Sequence, residues 1–179
     1  MIETATSACS VALIENGAVI AADAAVVGRG HAERLMPMIA DLPDGGRANE
    51  IWVDCGPGSF TGIRVGIAAA RGLGFGWGVP VHGFSSMALI AATWFAQSEG
   101  DATTVVIEGG HGEVFVQPFA PSPLRETAAL VSVPRDAAAV TGPCAGDIAP
   151  DARCAILLTE APLLPRPIYG RAPDAKPMM

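Results

Sequence analysis

The chain predicts an α/β fold built from two related subdomains, and three observations carry that expectation. A strand-hairpin opening occurs twice, at the start of the chain and again from Thr103. Between the two, segments of helical period alternate with short apolar strands. Half of the 179 residues are apolar and only 16% are charged, the composition of a chain that buries a core. The best boundary is Ser98-Glu99-Gly100-Asp101. It divides the chain into an N-terminal subdomain, residues 1–98, and a smaller C-terminal subdomain with a tail, residues 99–179.

The first segment has strand-turn-strand character, with Asn16-Gly17 between two apolar runs. Met1, Ile2 and Glu3 leave a short opening strand, so either that strand is truncated or the true start lies upstream. Thr4, Thr6, Ser7 and Ser10 read as a hydroxyl-rich turn between it and the hairpin. His31 to Leu42 carries apolar residues at 35, 36, 38, 39 and 42, a helical period, with Pro37 expected to kink it. Pro43-Asp44-Gly45-Gly46 ends that helix, and Ile51-Trp52-Val53 reads as a short buried strand.

Next comes the stretch that organises the chain, DCGPGSFTGIRVGIAAARGLGFGWG, from Asp54 to Gly78. A Gly/Pro/Ser/Thr loop runs into a helix in which each interior glycine costs roughly 1 kcal/mol relative to alanine. Packing must hold such a helix together. Gly62, Gly66, Ala70, Gly74 and Gly78 recur every four residues, and Ala68, Gly72 and Gly76 form a second row. Both rows are shallow surfaces that another backbone can approach closely. Arg64 and Arg71 fall on a different side with Ala68 and Phe75, part cationic and part apolar, and Arg64, Ile67, Arg71 and Phe75 are expected to face outward.

Val79 to Gly83 then reads as extended. Ser85 is placed to cap a helix that runs to about Gln97, with Phe84 stapled onto Leu89. Thr103 to Ile107 and Glu113 to Phe119 read as strands joined by Gly109-Gly110-His111-Gly112. After Pro121 prolines recur, leaving short elements at Ala128 to Val133, Asp136 to Thr141 and Cys154 to Leu158, and an extended or looped tail.

Charge and motifs bound the chemistry. The formal net charge is −7 and the pI about 4.8, with no Lys/Arg cluster, which argues against unaided binding to a nucleic-acid backbone. The apolar run from Gly62 to Val81 is broken by Arg64 and Arg71, which argues against a membrane span. No signal peptide is visible, and four cysteines without a C-x-x-C pair read as reduced thiols in a cytoplasm. The glycine loop lacks both the lysine of a phosphate-binding P-loop and the G-x-S-x-G of a nucleophile elbow. Two readings of phosphate chemistry stay open. Thr4, Thr6, Ser7, Gly58 and Ser59 offer hydroxyls and backbone N–H groups to an anion, or they serve turn capping and tight packing. Glu3 and Asp54, at strand ends, are carboxylates that could hold Mg²⁺, and the three histidines lack metal-ligand spacing.

GPGSFTGIRVGIAAARGLG resembles the signature segment of the bacterial TsaB (YeaZ) family, which serves formation of N6-threonylcarbamoyladenosine at position 37 of ANN-decoding tRNAs. ETATSACSVAL, HAERLMPMI, GVPVHGFSSMALIA and PIYGRAPDAKP agree in order. The similarity covers residues 1 to about 119 and resumes at about 165. It implies an actin/Hsp70/sugar-kinase-like fold of two ribonuclease H-like subdomains, the second reduced. It also implies a non-catalytic scaffold and activating subunit that binds the paralogue TsaD, with the ATPase TsaE joining the complex, tRNA approached indirectly, and a homodimer when alone. No cofactor intrinsic to this chain is implied, ATP and Mg²⁺ being used by the complex.

In that family the partner contact uses the first two helices, here His31 to Leu42 and Gly62 to Trp77. The resemblance therefore points to His31, Leu35, Met38, Arg64, Ile67, Ala68, Arg71 and Phe75 as partner-binding residues. The chain departs from the family in three places: Glu3 stands where Asp is usual, the first strand is short, and residues 120–165 are short and proline-rich. Two alternatives remain: a nucleotide-binding kinase or ATPase using Glu3 and Asp54, and a peptidase centred on Ser59.

Overall fold

The computed structural model describes residues 1–138, 140, 142–146, 148–159 and 161–170. Its first sheet begins with β1 (Ile2–Glu3), β2 (Ala8–Glu15) and β3 (Ala18–Val26). Asn16 and Gly17 both take positive φ, 50° and 76°, the backbone that a two-residue hairpin turn requires. Ser10, expected in the turn, lies inside β2 and is buried. Helix α1 (His31–Ala40) carries Pro37 within it and is followed by a short 3-10 helix at Pro43–Gly46.

β4 (Ile51–Asp54), α2 (Phe60–Trp77), β5 (Val81–Phe84) and α3 (Ser86–Gln97) follow. The strand order is β3-β2-β1-β4-β5, antiparallel through β3, β2 and β1 and parallel through β1, β4 and β5. Ile2, Val11, Ile51 and Val53 pack with Leu35, Met38, Ile63 and Ile67 of α1 and α2 into one core. Trp52 turns to the opposite face, toward Phe84, Leu89 and Ala155, as the two-residue period of a strand demands.

The second sheet consists of β6 (Thr103–Gly110), β7 (Glu113–Ala120), β8 (Arg125–Glu126) and β9 (Val131–Pro134), all antiparallel and centred on β7. The repeated strand-hairpin opening is therefore present as β6–β7. The helices that follow α3 among the described residues are short 3-10 turns, Arg135–Ala137 and Ala152–Leu157. The 3-10 turn overlaps the element expected at Asp136 to Thr141, whose Ala139 and Thr141 lie outside the described residues, as does the tail from Arg171 onward.

α3 packs its Met87, Ala88, Ile90 and Ala91 against Val105, Phe115 and Phe119. Although it precedes the expected boundary at residue 98, it supplies core to the second sheet. The Ser85 hydroxyl accepts from the Met87 N–H and caps it as read from the sequence.

Two crossings stitch the sheets together. The Ala152 N–H donates to Ser10 Oγ of β2 at 3.1 Å. Beyond it the chain returns as a strap, Leu163 to Gly170. Leu163 and Gly83 exchange both backbone hydrogen bonds, at 2.8 and 2.9 Å, and the Ile168 N–H donates to the Cys55 carbonyl at 2.7 Å. The strap thereby covers the outer edge of β5, an edge that would otherwise present unpaired backbone groups.

Candidate functional site

The geometry of α2 decides which of its small-residue rows is structural. A Cβ at Gly62 would run into the Thr4 carbonyl oxygen, one at Gly66 into Thr4 Oγ1, and one at Gly74 into Val81. Gly62, Gly66, Ala70 and Gly74 are buried, so this row lets the helix lie directly on β1, β4 and β5. A Cβ at Gly72 or Gly76 would meet nothing within 4 Å. That row, with exposed Ala68, faces outward, and no packing among the described residues requires it to be small. Beside it stand Phe60, 57% exposed, and Phe75, 92% exposed.

Arg64, Ala68, Arg71 and Phe75 are exposed along this outer stripe, as the sequence suggested. Ile67 is corrected: it is 4% exposed and belongs to the first core. Three residues beyond Arg64, it lies about 60° round the helix toward buried Ile63. On α1, Leu35 and Met38 are fully buried in the same core, and the apolar period that marked them is the period of a core face. His31 is buried as well, and its Nε2 donates to the Ala8 carbonyl at 2.9 Å, pinning the start of α1 to β2. The outward apolar residue of α1 is Met36, 44% exposed, which the sequence reading did not single out as a contact.

The strap engages both arginines. Arg64 Nε and Nη2 donate to Tyr169 Oη at 3.3 and 2.9 Å. The Arg64 guanidinium lies 3.7 Å from the centre of the Phe60 ring, and Phe60 stacks on Tyr169 with ring centres 5.7 Å apart. Arg71 Nη2 donates to the Pro165 carbonyl at 2.6 Å. Phe60 and Tyr169 were missed as site residues. The signals were there: Phe60 is four residues before Arg64 on one helical face, and Tyr169 is the single tyrosine of the chain.

The suspected anion loop is filled from within. Glu3 is fully buried, and its Oε1 accepts from the N–H groups of Ala5 and Thr6, at 2.9 and 3.2 Å, and from the Thr6 hydroxyl at 3.3 Å. Thr4 Oγ1 donates to the Gly62 carbonyl at 2.8 Å. Ser7 is exposed, and its carbonyl accepts from Val27 and Gly28. The Ser59 N–H donates to the Ala5 carbonyl, and Ser59 Oγ caps α2 by accepting from the Gly62 N–H at 3.2 Å. Gly58 is needed because a Cβ there would strike the Ala5 carbonyl. Of the two readings, turn capping and tight packing describe the bonds these groups make.

Asp54, also fully buried, accepts at Oδ1 from Ser86 Oγ at 2.6 Å and from the Gly56 N–H at 2.7 Å, while its Oδ2 has no partner among the described residues. Burial pushes the Asp54 carboxyl up to about 7. Burial, and then the neighbouring Asp54 charge, raises Glu3 well above the usual carboxylate range. As a cation site the pair is poor, because Glu3 is committed to its turn and one Asp54 oxygen is left. Among the described residues no group of three or more His, Cys, Asp or Glu is placed to hold a metal ion, and no helix is long and apolar enough to cross a membrane.

With this geometry in view, similarity to known proteins is extensive. The family model described as "TsaD: tRNA N6-adenosine threonylcarbamoyltransferase" matches residues 23–121. The tRNA threonylcarbamoyladenosine biosynthesis protein TsaB of Escherichia coli is 37% identical over 119 residues, which cover 64% of this chain and 51% of that protein. The chain thus spans about half the length of that relative. An uncharacterized protein of Mycobacterium tuberculosis is 31% identical over 201 aligned positions, covering 99% of this chain and 93% of the relative. Among solved structures, an uncharacterized protein from Pseudomonas aeruginosa with similarity to peptidase YEAZ superposes with a TM-score of 0.84 at 25% identity, covering 95% of this chain and 97% of the other.

Proposed function

We propose, from the premise that this chain belongs to the TsaB (YeaZ) family, that it serves tRNA threonylcarbamoyladenosine biosynthesis as a non-catalytic subunit. It docks on a TsaD-type partner through the outer face of α2. One observation carries this reading: Ala68, Gly72 and Gly76 form a small-residue row with no packing role among the described residues, flanked by Arg64, Arg71 and the 92% exposed Phe75. Exposed apolar surface of this kind marks a contact, and small side chains admit a second backbone.

The occupant follows from the family. The chain's own residues 23–121 match the TsaD description, so a TsaD-type partner would bring a related lobe, and two related α2 faces are suited to pack about a pseudo-two-fold axis. The same face would pair two copies of this chain when the partner is absent. We read the fold as the actin/Hsp70/sugar-kinase type, a reading that the β3-β2-β1-β4-β5 order supports. TsaE would join through the complex, in the cytoplasm, and the net charge of −7 leaves most tRNA contact to the partner.

That Glu3 occupies the N–H groups of its turn and Ser59 caps α2 supports a binding role over nucleotide chemistry or peptidase chemistry in this chain. The test is co-purification with the TsaD-type protein of the same organism. Gly72→Leu combined with Phe75→Asp is expected to abolish capture while thermal melting is unchanged. A tRNA modification assay should then require this chain. Capture that survives the double substitution would remove the α2 face from the interface.

A further inference from the structure

The strap Leu163 to Gly170 is built into the first lobe. Gly83 and Gly56 make room for it: a Cβ at Gly83 would lie 2.9 Å from the Leu164 carbonyl oxygen, and one at Gly56 would lie 2.8 Å from that of Ile168. Ile168 packs on the first core. From this anchored backbone Tyr169 reaches the outer face of α2, where its hydroxyl accepts from Nε and Nη2 of Arg64 and its ring stacks on Phe60. The guanidinium is thereby held over the Phe60 ring, 3.7 Å from its centre. A free surface arginine would sample many rotamers, and fixing one in advance removes that entropic cost from any association.

The charge is held by neutral partners. Among the described residues neither Arg64 nor Arg71 forms an ion pair. Both are satisfied by neutral oxygens, a phenol and the Pro165 carbonyl. On a chain of net charge −7, two oriented cations with no ion pair among the described residues, beside exposed Phe60, Phe75, Leu164 and Tyr169, ask for an acidic and apolar counterpart.

We propose that the strap is the second half of the docking face, with Tyr169 the positioning residue that presents Arg64 as a preformed platform to a carboxylate of the TsaD-type partner. This inference rests on the α2 docking reading given above. The platform is composite, since Phe60 and Arg64 come from α2 and Tyr169 from a segment more than 100 residues later.

The experiment measures the affinity of the full chain for its purified TsaD-type partner by titration calorimetry at low and high salt. Tyr169→Phe keeps the stack and removes both bonds to Arg64. It is expected to weaken binding roughly tenfold with little change in melting temperature. Tyr169→Ala should weaken it further. Binding of wild type should fall with salt, and Arg64→Gln should remove most of that dependence. If Tyr169 acts through Arg64, the double variant Arg64→Gln/Tyr169→Phe will lose little more than Arg64→Gln alone. Unchanged affinity in Tyr169→Phe and Tyr169→Ala would overturn the platform while leaving docking on α2 intact. Absence of binding by wild type would overturn the docking reading itself.

Discussion

Asp54 and Glu3 sit fully buried at the ends of adjacent parallel strands, and their position gives the fold a pH dependence of definite sign. Burial raises Asp54 from 3.8 to about 7, and Glu3 is raised as well. The folded state therefore binds protons that the unfolded chain has already released. Stability is greatest below the unfolded pKa values and is lost as pH rises toward and through 7, at up to about 1.4 kcal/mol per pH unit for each proton. The Met1 amine, pushed down to about 6 by burial, works in the opposite sense between its folded and unfolded values. The difference between wild type and Asp54→Asn isolates the carboxyl: chemical denaturation from pH 5 to 8 should show a steeper decline in wild type. Equal slopes would mean that Asp54 is ionised throughout. That both carboxylates stand at strand ends was readable from their places in the sequence. What Glu3 does there was not, because a hydroxyl-rich turn looks the same whether its N–H groups await a solute or already hold a side chain from three residues upstream.

Helix α2 pairs two rows of small residues with opposite energetics, which single substitutions can separate. Gly62→Ala forces a methyl group into the Thr4 carbonyl, a backbone neighbour that cannot swing aside. A destabilisation of about 3 kcal/mol is expected. Gly72→Ala places its methyl in open solvent and removes a helix-interior glycine, so it should stabilise by up to about 1 kcal/mol. Urea denaturation of the two variants checks both signs together, and equal effects would mean that the rows are not distinct. The four-residue spacing was fully legible, as was the capping of α3 by Ser85. Which row met the core was not, because spacing tells which residues share a face and leaves open what the face touches. Ile67 shows the limit: it lies only about 60° from Arg64, and packing against Ile63 and the sheet settles its direction. On α1 the apolar stripe with Leu35 and Met38 builds the core, whereas the family resemblance points to the pair as partner-binding residues.

At the scale of the whole molecule the two sheets are joined by more than a linker. α3 leaves the first sheet and buries itself in the second, Ala152 bonds back to Ser10, and the strap returns to Gly83 and Cys55. Trp52 and Trp77 belong to the first lobe, whereas Trp94 packs with the second core. Tryptophan fluorescence and far-ultraviolet circular dichroism should therefore report one coincident urea transition. Two separated transitions would make the lobes independent. The repeated strand-hairpin opening revealed two sheets from sequence alone, but the strap did not, since PRPIYG carries no periodic pattern and its partners lie about a hundred residues earlier. The strap also sets an order in time. A chain made from its N-terminus completes α1, α2 and the first sheet long before Tyr169 is synthesised, and during that interval Arg64 has no phenol to hold it. The Phe60–Arg64–Tyr169 cluster is thus assembled only when translation has passed residue 169, so a product interrupted before it lacks the phenol that holds Arg64.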